Sequence, residues 1–218
     1  MHREWRTVGA VTTTTEPART TRRRAETRSR LLAAALEVLG EQGLARSSVE
    51  SVCERAGFTR GAFYSNFATM DDVVAALHET QAGHVIDHVE QRLADAPWTD
   101  TADVAAIVAH VLDVLPVDRQ WHTVRTEFTA QALRNPDAAR AVTAQRAALR
   151  RRLAPVLEAA LTRAGRRLTV PAEELARAVV TAQEGLVTPA LLGDVPAGPG
   201  FETRVLTGVL TAFTEAAR

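Results

Sequence analysis

Apolar residues recur at i, i+3, i+4 and i+7 across Leu32, Ala35, Leu36 and Leu39, the stripe of an amphipathic helix, and Gly43 follows as its terminator. Ser47-Ser48-Val49-Glu50 has the S-x-x-E form of a capping box. Val49, Val52, Cys53 and Ala56 lie behind it on one face, so a short second helix is predicted that ends at Gly57. Thr59 is placed to cap a third helix with Phe63 and Phe67 on one face, and Thr69-Met70-Asp71-Asp72 reads as the start of a fourth. Beyond residue 70 no strand pattern stands out. Helical patterns follow one another between breaks near Pro97, Pro116, Pro136, Pro171 and Pro196. Asn135-Pro136-Asp137 opens a long helix that Pro155 is expected to kink. Two last stripes, Leu175, Val179, Ala182, Leu186 and Val205, Leu206, Val209, Leu210, Phe213, form a terminal helix pair. The fold class is all-α.

Composition adds little to this until charge is divided along the chain. The 218 residues carry no net formal charge and are 46% hydrophobic, ordinary values for a globular protein. Residues 1–67, however, hold eleven Arg against seven Glu, a balance of +4, and the remainder carries −4. The first part is the one suited to a polyanion. Residues 1–24 have no sustained apolar period and are expected to form a flexible basic tail. A single cysteine, Cys53, leaves no disulfide framework or cysteine-built zinc site, which fits a reducing cytoplasm. The most hydrophobic stretch, Val104 to Val117, is interrupted by His110, Asp113 and Pro116 and is too short to cross a bilayer, so no membrane association is expected.

Two short helices joined at Gly57-Phe58 have the dimensions of a helix-turn-helix, in which the second helix enters the major groove. Arg60, Gly61, Ala62, Tyr64 and Ser65 suit the exposed face of that helix, and Phe63 and Phe67 suit its anchored one. Ala56 to Phe67, Ala-Gly-Phe-Thr-Arg-Gly-Ala-Phe-Tyr-Ser-Asn-Phe, resembles the segment A-G-[VF]-[ST]-x-[GP]-x-[LIF]-Y-x-[HN]-F of the TetR family of regulators, and Glu26-Thr27-Arg28 before the Leu32 helix resembles that family's opening. The resemblance covers roughly residues 25–85. It implies that Ser47 or Ser48, Tyr64 and Asn66 approach DNA phosphates, that Arg60 and Ala62 stand nearest base edges, that Gly61 permits close backbone approach, and that Thr59 caps the helix beside a phosphate. Arg28, in the cluster with Arg22–Arg24 and Arg30, is a further phosphate candidate. One position departs: where such proteins usually place a lysine after the cap of the fourth helix, this chain has Met70.

Elsewhere the candidates are weaker. Trp121, Arg125, Phe128 and Gln131 recur at helical spacing and combine aromatic surface with polar groups, as the wall of a ligand pocket would, or as any half-buried helix would. Gln183 and Glu184 are lesser candidates on the Leu186 stripe. His84 and His88 stand at i, i+4 without an identifiable third ligand, so no metal is expected. Cys53 lies on an apolar stripe and reads as a buried filler. No nucleophile elbow, zinc-protease motif or phosphate-binding glycine loop occurs, so neither catalytic residues nor a cofactor are expected. The chain thus reads as a flexible tail (1–24), an N-terminal three-helix helix-turn-helix domain (25–85, with the motif at 48–67) and a helical-bundle domain (86–218) for ligand sensing and dimerisation. The implied activity is a repressor, homodimeric through the two terminal helices and released from a palindromic operator DNA by a small molecule. The alternatives are an activator of the same fold, or a small helical enzyme or binding protein with an incidental helix-turn-helix.

Overall fold

The structure, a computed structural model, describes residues 16–96, 103–112, 118–194 and 200–217. Residues 1–15 of the expected tail, and the breaks near Pro97, Pro116 and Pro196, lie outside the described residues. The element order is α1 (Glu16–Gln42), a 3-10 turn (Leu44–Arg46), α2 (Val49–Ala56), α3 (Arg60–Tyr64), α4 (Met70–Ala94), α5 (Val104–Leu112), α6 (Arg119–Ala132), α7 (Pro136–Arg163), β1 (Arg166–Leu168), α8 (Ala172–Leu192), α9 (Phe201–Ala212) and β2 (Thr214–Ala216).

Helix α1 begins earlier than the apolar stripe suggests. Residues from Glu16 to Arg24, expected to belong to the tail, form its first turns. No breaker separates them from the stripe, and Pro17 stands in the first turn, where a missing N–H leaves no helical bond unmade. The capping of α2 also differs. Its cap is Ser48, not Ser47, and the reciprocal partner is Ser51 rather than Glu50. The Ser47 hydroxyl instead donates to the Gly43 carbonyl (2.8 Å), closing the 3-10 turn. Gly57 ends α2 in the left-handed region (φ 69°), where a side chain would be strained. Thr59 caps α3 and Thr69 caps α4, the latter in a reciprocal box with Asp72.

A buried cluster joins Leu31, Val38 and Leu39 of α1, Val52 of α2, Phe63 of α3 and Val73, Val74 and Leu77 of α4. Val124 and Phe128 of α6 and Val142 of α7 belong to the same cluster, so the N-terminal helices around α2 and α3 (the head) and the helices that follow (the body) share one core. Helix α4 continues through residue 85, and the expected domain boundary therefore falls inside a helix. Val89 near its far end packs in a second cluster with Leu153 and Ala154 of α7 and Ala176 of α8. Helix α7 opens on Asn135 with Pro136 in its first turn, as expected, and Pro155 lies inside it without ending it.

The ladder of β1 with β2 was not foreseen. It is antiparallel, pairing Arg166 with Ala216, Arg167 with Glu215 and Leu168 with Thr214. The Arg166 guanidinium donates to Thr214 Oγ1 (2.6 Å) and to its carbonyl (3.0 Å), fastening the end of α9 to the end of α7.

Candidate nucleic-acid interface and sensing cavity

Helix α3 is held from behind and open in front. Phe63 is fully buried and Phe67 nearly so, their rings 5.8 Å apart, while Thr59, Arg60, Gly61 and Tyr64 are exposed and Ala62 is half-buried. The Thr59 hydroxyl accepts the Ala62 N–H at 3.2 Å, which fixes the start of a helix too short to persist alone. Arg60 pairs with Glu50 of α2 at 2.7 Å. The hydroxyl of Tyr64 first, then Glu50, favour the charged guanidinium of Arg60. Ser47 and Ser48 are half-buried and occupied with the turn and cap described above. Asn66 turns inward: its Nδ2 donates to the Ala62 carbonyl at 2.8 Å, closing the end of α3.

The arginine cluster of α1 divides into two kinds. Arg22 and Arg23 are exposed. Arg24 donates to the Ser65 carbonyl (2.9 Å), Arg28 lies over the Phe67 ring (5.0 Å to the centroid), and Arg30 donates to the Ala56 carbonyl (3.1 Å) and covers Phe58 (4.7 Å). These three arginines brace the ends of α2 and α3. On the far side of the head, the Leu44 N–H donates to Glu127 Oε2 of α6 at 2.6 Å, a charge-assisted bond that ties the turn after α1 to the body.

Within the body lies a cavity of about 300 Å³ walled by α4 to α9. Most of its surface is aliphatic, including Val85, Val89, Ile107, Leu149, Val180 and Leu206. Of the pocket residues expected from sequence, Trp121 and Arg125 line it; Phe128 and Gln131 do not. Phe128 is one to two turns further along α6, where the helix faces the head and its ring is buried in the shared core. Arg125 Nη1 binds Glu184 Oε1 (2.8 Å) and Arg146 Nη2 binds Glu184 Oε2 (3.0 Å). Burial draws the Arg125 pKa below its ordinary value. Arg125 Nη2 also donates to His122 Nδ1 (3.1 Å), which leaves the His122 Nε2–H to donate to Thr188 Oγ1 (2.9 Å) and makes this imidazole neutral. His78 packs edge-on against Trp121, with centroids 4.5 Å apart. Burial first, then the nearby Arg125 and Arg146, lower its pKa to about 4.

His78, His122 and Arg146 escaped the reading of the sequence as wall residues. Glu184 was the legible one, since a charge inside an apolar stripe requires a partner; Arg146 sits in a helix rich in arginine, where nothing marks it out. Cys53 is buried on the apolar face of α2, and burial raises its thiol pKa. Among the described residues no group of three His, Cys, Asp or Glu side chains is arranged to hold a metal, and no helix is long and apolar enough to cross a membrane.

Residues 31–77 match the family model of bacterial regulatory proteins of the tetR family, and residues 100–216 match that of the C-terminal domain of BetI-type transcriptional repressors. The HTH-type transcriptional regulator YvdT of Bacillus subtilis is 33% identical over 64 residues, 29% of this chain and 33% of that protein. The chain spans less than half the length of the curated relatives it matches. A TetR-family member from Streptomyces coelicolor A3 is 30% identical with a TM-score of 0.58, over 84% of this chain and 98% of that one. Salmonella enterica GusR shares the fold with a TM-score of 0.66 at 21% identity, over 91% and 99% of the two chains.

Proposed function

The chain belongs to the TetR family of bacterial regulatory proteins, and on that footing we propose that it is a homodimeric transcriptional repressor that leaves operator DNA when a small molecule enters its cavity. One observation carries this reading: α4 is a single rod that starts beside the recognition helix α3 and ends on the cavity wall. Its Val73, Val74 and Leu77 are packed in the core of the head, and its His78, Val85 and Val89 face the cavity. Helix α6 makes the same connection, holding the head through Glu127 while Trp121 and Arg125 line the cavity. A ligand that binds one disposition of these two helices better than another shifts the spacing of the heads by that difference in affinity.

At the DNA, α3 enters the major groove with Arg60 and Ala62 toward base edges and Gly61 admitting the backbone. Tyr64, Thr59, Ser47 and Ser48 stand toward phosphates, and Asn66 and Arg28 serve by holding α3 in place. Met70 replaces a cation at the start of α4, so the salt dependence of binding is shallower by one contact per subunit. One short helix reads too few base pairs for genomic selectivity, and the dimer, joined through α8 and α9, spans two successive grooves. The protein works in the cytoplasm, where its operator is.

A mobility-shift titration with the DNA upstream of the protein's own gene tests this. Wild-type protein should retard that fragment in preference to unrelated DNA. Tyr64→Ala, exposed and outside the core, should weaken retardation while the dimer stays folded by circular dichroism. Unchanged binding and salt dependence in that variant would remove Tyr64 from the interface.

A further inference from the structure

The charged groups on the cavity wall gather toward one part of it, and their balance says what the cavity takes. Glu184 presents one carboxylate to two guanidiniums, Arg125 on Oε1 and Arg146 on Oε2. The side chains of Arg125 and Glu184 are only 24% and 26% exposed. His122 adds no charge, because its Nδ1 accepts from Arg125, and His78 is half-buried against Trp121 and neutral at physiological pH. The other acid on the wall, Asp118, is engaged by the N–H groups of Gln120 and Trp121 at the start of α6. It stands about 10 Å of helical rise from Arg125. The group formed by Arg125, Arg146 and Glu184 therefore carries one net positive charge at an aliphatic cavity, with the Arg146 side chain 41% exposed and that of Arg125 the more buried of the two.

Two further features favour an anion. Each guanidinium carries five N–H donors in a planar fork, and the bonds to Glu184 and His122 use two of those of Arg125 and one of those of Arg146, which leaves donors for a second carboxylate. Nε2 of His78, a wall residue, is a buried polar atom with no hydrogen-bond partner among the described residues. In the tautomer protonated at Nε2, His78 has an N–H left over for an acceptor. An organic cation would meet two guanidiniums, and Glu184, the acid beside them among the described residues, already has both oxygens engaged.

Resting on the sensing role proposed above, we propose that the cavity takes an amphipathic organic monoanion: a carboxylate seated on Arg125 and Arg146, carrying an aliphatic body that lies among Val85, Val89, Ile107, Leu149, Val180 and Leu206. A carboxylate completes the charge balance and matches the guanidinium fork, and the aliphatic wall has nothing to offer a polar body.

Isothermal titration of the full-length dimer with decanoate, decanol and decyltrimethylammonium, each below its micellar concentration, tests this with one chain length and three head groups. Decanoate should bind about tenfold or more tighter than decanol, a difference of about 1.4 kcal/mol, with the cation weakest. Arg125→Gln should bring the ratio of decanoate to decanol affinity to about one, and Arg146→Gln should move that ratio the same way. Glu184→Gln should strengthen decanoate binding, because it frees both guanidiniums; a purely architectural Glu184 would make every ligand bind worse. Equal affinity for the three head groups, tighter binding of the cation, or indifference to Arg125→Gln overturns the anion assignment and leaves the cavity as a ligand site. Binding of none of the three overturns the assignment and the cavity's sensing role together, and retardation of operator DNA, measured separately, is unaffected by either result.

Discussion

Arg60 occupies the first position of α3, and among the described residues it pairs with the carboxylate of Glu50 at 2.7 Å on the preceding helix. Both side chains are more than half exposed, so the pair is easily opened by a phosphate or a base edge. Arg60→Ala should relax sequence preference at one base position by roughly tenfold, and a selection from randomised operators would detect it. Uniform weakening on every sequence would assign Arg60 to phosphate. Glu50→Gln should have the opposite sign: it removes a negative charge beside the groove and frees Arg60, so DNA is bound more tightly. Weaker binding by Glu50→Gln would instead mean that the pair orients Arg60. His78 makes a prediction about pH. The unfolded chain takes up a proton at this imidazole near its ordinary value of 6.5, and the folded chain, with the ring partly desolvated and Arg125 and Arg146 nearby, only at about 4. The folded state thus binds fewer protons between these values, and stability falls as pH drops through that window, by at most about 3 kcal/mol. Urea denaturation of wild type and His78→Phe at neutral pH and at about pH 5 should show the wild type losing more. Equal losses would mean that His78 is protonated in the folded protein.

Among the elements, the turn Leu44–Arg46 shows how the head is fastened. Gly43 adopts φ 78° to enter it, and the Leu44 N–H is taken by the Glu127 carboxylate of α6. Glu127→Ala should lower stability by about 1–3 kcal/mol, the effect of stranding a part-buried donor. It should also weaken DNA retardation without any change at α3. Thermal melting and the same retardation assay read the two effects; a stable variant with normal affinity would make the Glu127 bond incidental. This contact, between residues 44 and 127, could not be read from spacing, because no periodicity links a loop residue to a helix met much later in the chain. What could be read was local. Thr59 and Thr69 cap the helices they were expected to cap, and Gly57 turns where predicted, since these signals act within a few residues. Ser47-x-x-Glu50 misled because Ser48-x-x-Ser51 offers the same chemistry one residue on, and Gly43 claims the Ser47 hydroxyl. The ladder of β1 with β2 was illegible for a third reason. Arg166-Arg167-Leu168 and Thr214-Glu215-Ala216 carry no alternation, and only their juxtaposition at the ends of α7 and α9 makes them strands.

At the scale of the whole molecule, the homodimer proposed above assigns the contact between two copies to α8 and α9. These helices pack on each other and on the body, and Val180 of α8 and Leu206 and Leu210 of α9 face the cavity. That leaves their other faces, with Ala182 and Leu186 half-buried and Gly185 and Gly208 exposed, for a partner. Phe213 is a poor probe of that face, because its carbonyl accepts the Thr169 N–H at 3.0 Å and the residue stands at the end of the ladder. The glycines are better probes. A Cβ built at Gly185 or Gly208 meets nothing within 4 Å in the single chain, and both residues have ordinary helical backbones. Replacing either with arginine therefore leaves the protomer's own packing untouched, and by helix propensity alone it should stabilise the helix by up to about 1 kcal/mol. If the α8–α9 face pairs across a two-fold axis, the same substitution sets two bulky like charges opposite each other, since a symmetric interface applies every change twice. Gly208→Arg and Gly185→Arg should then give folded monomers by light scattering, with helicity retained and operator binding lost although no DNA-facing residue has changed. Variants that stay dimeric and bind normally would place the two-fold contact on another face of the body.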